Sequence, residues 1–123
     1  MTLEELYDAA GGDYYAARAY LRSERLISRV LLKFLDDTSC ARTLAAWEDR
    51  DLAAMFEAAH EAKGVCHNLY LTRLADVASQ LTEELRPAED HEPSEKRLAE
   101  LADELARAHE ATLDAIHAWA QAQ

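Results

Sequence analysis

Within the stretch "EAAHEAKGVCHNL", Glu57 to Leu69, a histidine is followed three residues later by a lysine and four later by a glycine. An imidazole is a good nucleophile near neutral pH, because a large fraction of it is unprotonated there. Residues three and four apart are neighbours on a helix surface, so Lys63 and Gly64 stand one turn beyond His60. An ammonium in that place suits His60 to accept a phosphoryl group, since the product carries added negative charge. A glycine inside a helix costs about 1 kcal/mol relative to alanine. Gly64 has a physical use here, because it removes the side chain that would block another surface from the imidazole. Taken on spacing alone, an ordinary surface histidine beside a tolerated glycine is the more economical reading.

Other groups invite weaker readings. Glu57-x-x-His60 and Asp114-x-x-His117 have the spacing found in metal-bearing helical bundles. Such a site needs inward carboxylates from further helices, whereas a helical wheel turns Glu57 and His60 outward, so metal binding is the runner-up chemistry. Cys66 and His67 form at most a partial ligand pair, and His91 and His109 are expected in solvent. Two antiparallel helices turning near Leu69 and Tyr70 would bring Gln80 opposite His60. Its amide would then orient the imidazole or bond phosphate; a plain exposed glutamine is an equal alternative.

These residues must be held by helices. "TLEELYDAA" has Thr2 as N-cap with Glu5 completing a capping box, and "GGD" ends it, with Asp13 free to cap "YYAARAYL". Ser23 caps a strong apolar stripe of Ile27, Val30, Leu31, Phe34 and Leu35. After the cap-rich "DDTS", a short helix turns Leu44 and Trp47 inward. The His60 helix runs from about Asp51 to Asn68, with Leu52, Met55, Phe56, Ala59, Cys66 and Leu69 on its core side. On a wheel of about 100° per residue, His60 lies roughly 110° from that stripe's centre. The next helix, 71–86, carries Leu74, Val77, Ala78, Leu81 and Leu85, and Pro87 stops it. Ser94 caps a last helix, 94–121, with Leu98, Leu101, Leu105, Ala108, Thr112 and Trp119 at near-heptad spacing.

No strand pattern appears, so the expected fold is all-α: an antiparallel up-and-down four-helix bundle with additional short N-terminal helices. At 123 residues the chain is read as one domain. Acidic residues outnumber basic ones 24 to 13, for a net charge of −11, a field that repels phosphate backbones and argues against nucleic acid as a partner. No apolar run approaches the roughly 20 residues of a membrane span. No signal peptide opens the sequence, and Cys40 and Cys66 are too few for a disulfide framework, so a reduced, cytoplasmic setting is expected. No Gly-rich phosphate loop is present.

The segment "AAHEAKGVCHNLYLTRLADVASQLTEELR" resembles the core of histidine phosphotransfer (HPt) domains, whose signature is His-x-x-Lys-Gly followed by Asn-Leu and a leucine-striped helix. His60, Lys63, Gly64, Asn68, Leu69, Leu74 and Leu81 match it in order, and the likeness runs from about Gly12 to Arg86. Departures lie at Ala62, at Val65 and at Tyr70, where the family often has glycine. The resemblance implies a phosphorelay intermediate in which His60 takes a phosphoryl group from a receiver domain's aspartyl phosphate and passes it to another receiver. It implies receiver domains as partners, with a hybrid histidine kinase as a candidate donor, and apolar docking contacts around the histidine, for which Ala53 and Met55 are candidates. It implies no cofactor of the protein's own, the Mg²⁺ being the receiver's. A monomer is expected, the last helix closing the bundle. The alternative is a non-catalytic interaction protein that dimerises through that helix.

Overall fold

Every helix but the sixth begins where the sequence offers a side-chain oxygen to its first free N–H groups. The computed structural model describes residues 1–123 as seven helices. These are α1 (Leu3–Ala10), α2 (Tyr14–Leu21), α3 (Glu24–Phe34), α4 (Ser39–Glu48), α5 (Leu52–Asn68), α6 (Thr72–Leu85) and α7 (Glu95–Gln121). Thr2 Oγ1 accepts from the Glu5 amide at 3.1 Å and Glu5 Oε1 accepts from the Thr2 amide at 2.9 Å, closing the capping box. Asp13, Ser23, Asp51 and Ser94 cap α2, α3, α5 and α7 through their side chains. Thr38 makes no such cap at α4; there the Asp37 carboxylate accepts from the Ser39 amide at 2.9 Å. The chain forms no strand, only an isolated bridge between Ala88 and His91 in the α6–α7 connection.

Helices α4, α5, α6 and α7 close a ring in which each packs on the next and α7 returns to α4. The stripe of α6 is buried as expected, and so are Leu98, Leu101, Leu105, Ala108, Thr112, Ile116 and Trp119 of α7. The heptad-like seam is thus consumed inside its own bundle. One core cluster of 29 residues includes members of all seven helices. No helix is long and apolar enough to cross a membrane.

Two helices are rotated from the sequence expectation. α4 buries Ser39, Cys40, Thr43 and Ala46 and leaves Leu44 and Trp47 half-exposed on its flanks. α5 buries Met55, Ala58, Ala59, Ala62 and Cys66, while Leu52 is exposed and Phe56 half-buried. The physical reason is shared. The two helices meet through small side chains, which admit a neighbouring helix most closely, and the larger residues are displaced to the margins. Cys40 and Cys66 lie in this contact as free thiols. A hydrogen bond with Cys40, followed by burial, pushes the Cys66 thiol far above its usual range. A third departure is His109. It is half-buried on α7, its ring edge-on to Phe34 of α3 with centroids 6.2 Å apart, rather than solvated.

The N-terminal helices gather at the end of the bundle where α5 turns into α6. α1 packs on α7. The Tyr7 hydroxyl donates to the Leu69 carbonyl at 2.8 Å, the Asp13 amide to the Tyr70 carbonyl at 3.0 Å, and the Arg73 amide to the Gly11 carbonyl at 3.0 Å. Gly12 is required by this close approach. A Cβ there would stand 2.6 Å from Tyr7 Cδ1 and 2.8 Å from the Tyr70 carbonyl oxygen.

Candidate functional site

The outward ridge of α5 runs between α4 on one side and α6 on the other. Glu61 marks the α4 side, its carboxylate 2.7 Å from Arg42 Nη2. Phe56 marks the α6 side, with the Arg86 guanidinium carbon 5.7 Å from its ring centroid. His60 stands on the crest, exposed, its side chain in neither hydrogen bond nor ion pair. Its ring is stacked over Phe56, one turn back, with centroids 6.2 Å apart and planes 12° from parallel. That contact gives one face of the imidazole an apolar rest while both ring nitrogens remain open to solvent.

One turn onward, Lys63 is half-buried and makes no ion pair, though it lies close enough to Glu83 of α6 to lower that carboxylate's pKa. The larger influence on Glu83 is Arg86, which bonds it at 2.9 Å. Gly64 is exposed, and a Cβ built on it would meet no atom within 4 Å. Its backbone is ordinary helix, with no positive φ. Nothing in the fold itself therefore requires glycine at this position, unlike Gly12. The structure brings His60, Lys63 and Gly64 together on one face.

Gln80 is engaged by α7. Its amide oxygen accepts from Arg97 Nη2 of α7 at 2.6 Å. No hydrogen bond joins it to His60; antiparallel pairing sets a residue's height along the neighbour and leaves its direction around the axis open. The α6-side residue that borders the site is Arg86, at the helix C-terminus. Its signal in the sequence was faint, one arginine beside the helix-stopping Pro87. Of the rim candidates, Ala53 is exposed, but Met55 is wholly buried and belongs to the core; Leu52 and Phe56 supply the apolar surface instead. His67, two turns past His60, is exposed and stacks on Tyr70 at 6.5 Å. His91 lies 2.7 Å from the Glu84 carbonyl oxygen through Nε2. Neither Glu57 with His60 nor Asp114 with His117 joins a cluster of three or more His, Cys, Asp or Glu side chains.

Comparison with known proteins bears on this arrangement. A family model described as "Hpt domain" matches residues 29–111, from mid-α3 into α7, which includes the whole of the α5 ridge. No curated protein and no solved structure matches the chain.

Proposed function

The chain belongs to the Hpt domain family, with a phosphotransfer role in two-component signalling, and from that premise we propose that His60 is its phosphoacceptor. An unprotonated imidazole nitrogen of His60 attacks the phosphorus of a receiver's aspartyl phosphate. The new P–N bond forms as the P–O bond to the aspartate breaks, and the carboxylate departs with its electron pair. The reverse displacement, on the aspartate of a second receiver, completes the relay. Lys63, one turn onward and half-buried, offsets the added negative charge. Mg²⁺ is supplied by the receiver.

The observation that carries this reading is Gly64. The space above it is empty, so alanine would fit and would favour the helix. A residue that the fold does not need, one turn above an unengaged imidazole, is accounted for by an approaching partner surface. Phe56, stacked under the imidazole, provides apolar contact beside it. The test is His60→Gln against a panel of phosphorylated receivers. Wild type takes up phosphate, the variant takes none, and both unfold at the same temperature, because an exposed side chain contributes little to stability. Full labelling of the variant would overturn the assignment.

A further inference from the structure

The ridge that carries His60 does not end at His67. Tyr70 follows it in the α5–α6 turn, and the ring of Tyr20 on α2 lies 5.9 Å from that of Tyr70, tilted 53°. Tyr20 is 70% exposed. His67 is seven residues from His60, about 10 Å along the same helix face. Three rings thus form a step at the end of the ridge.

Tyr70 occupies this step in an unfavourable backbone conformation. Its φ of 57° is left-handed, a region that tyrosine rarely adopts. The turn is a Schellman motif: the Tyr70 amide donates to the His67 carbonyl at 3.1 Å and the Leu71 amide to the Cys66 carbonyl at 3.0 Å. Glycine is the usual residue there, since it alone bears that conformation without strain. Arg50 holds the same position after α4, with φ of 54°, but its guanidinium sits 3.6 Å from the Trp47 ring centroid and bonds Glu95 of α7 at 3.2 Å. Arg50 is thereby tied into the fold. One side of the Tyr70 ring packs against the hydrophobic core, while its ring neighbours His67 and Tyr20 are exposed. The core side of the ring serves the fold, and the side it shares with His67 and Tyr20 is left to solvent on the same face as His60.

Charge indicates what lies there. Arg18, Arg22, Arg25, Arg29 and Lys33, beginning beside Tyr20, are all exposed and make no ion pair, with Glu24 the only acid among them in a chain of net charge −11. We propose that the His67–Tyr70–Tyr20 step is a second contact for the receiver that exchanges phosphate with His60, gripping an apolar patch edged by acidic residues. This rests on the assignment of His60 above; the step sets which receivers are accepted and takes no part in the chemistry.

The experiment compares Tyr20→Ala and Tyr70→Gly with wild type, using the panel member that transfers fastest to wild type. Each variant is expected to weaken receiver binding about tenfold. Labelling of His60 by phosphoramidate, a small donor that needs no docking, should be unchanged in both variants, and the melting temperature should be unchanged in Tyr20→Ala. Binding as tight as wild type in both variants overturns the proposal. Failure of phosphoramidate to label wild-type His60 would count against the acceptor assignment alone, since the binding comparison decides the step separately.

Discussion

Gly64 separates two effects that substitutions usually confound. Alanine there meets no neighbouring atom, so Gly64→Ala should stabilise the helix by up to about 1 kcal/mol. Gly64→Gln should leave the melting temperature at or above wild type and slow transfer to and from receivers, because the longer side chain fills the space above the imidazole. Unimpaired transfer in that variant, measured by single-turnover kinetics, would show that the glycine does not serve access. Lys63→Ala should lower the transfer rate with little change in receiver affinity, since its charge matters most as phosphate moves. The grouping of these three residues was legible in the sequence because i, i+3 and i+4 proximity holds however the helix is rotated. Gln80 and Arg86 were not legible in the same way. Their relation to His60 depends on the rotation of α6 about its own axis, and that is fixed by packing.

At the scale of elements, the contact of α3 with α7 should respond to pH through His109. Burial against Phe34 lowers its pKa below the usual imidazole value, with Asp37 opposing in part. The unfolded chain therefore binds a proton at a higher pH than the folded one, and stability is lost as pH falls through the ordinary imidazole range. Thermal unfolding between pH 7.5 and 5 should show a decline that is reduced in His109→Gln. An unchanged slope in the variant would remove His109 as the cause. Caps and apolar periodicity announced nearly every helix end to within a residue or two. The inward faces of α4 and α5 were misjudged because large residues were assumed to point in. Ala58, Ala59 and Ala62 take the core positions instead, and Leu44 and Trp47 sit at the margin. Where two helices pack through alanine and cysteine, hydrophobic size is a poor guide to phase.

Across the whole molecule, the all-helical class and the role of α7 in closing the bundle followed from composition and stripes. Which end of the bundle α1 and α2 seat on did not, because it rests on main-chain bonds between distant segments. Gly12 is the point where that seating is most exposed to mutation. Gly12→Ala would press a methyl group into Tyr7 and the Tyr70 carbonyl and should destabilise the chain by about 1–3 kcal/mol. Chemical denaturation would measure it, and an unchanged midpoint would mean that the junction yields without loss.

The same junction has a temporal consequence. Neighbours around most of the ring are consecutive in the chain, so those helices can pair early, whereas Tyr7 and Leu69 are 62 residues apart. Closing so long a segment exacts its chain entropy before any contact rewards it. The N-terminal helices should then be the last to dock during folding and the first to lift away in the native state. Amide hydrogen exchange can follow this directly, since the Asp13 and Arg73 amides bond across the junction. Those two should exchange together, and sooner than amides in the middle of α6 such as Ala78. Equal protection at all three would mean that the molecule opens only as a whole.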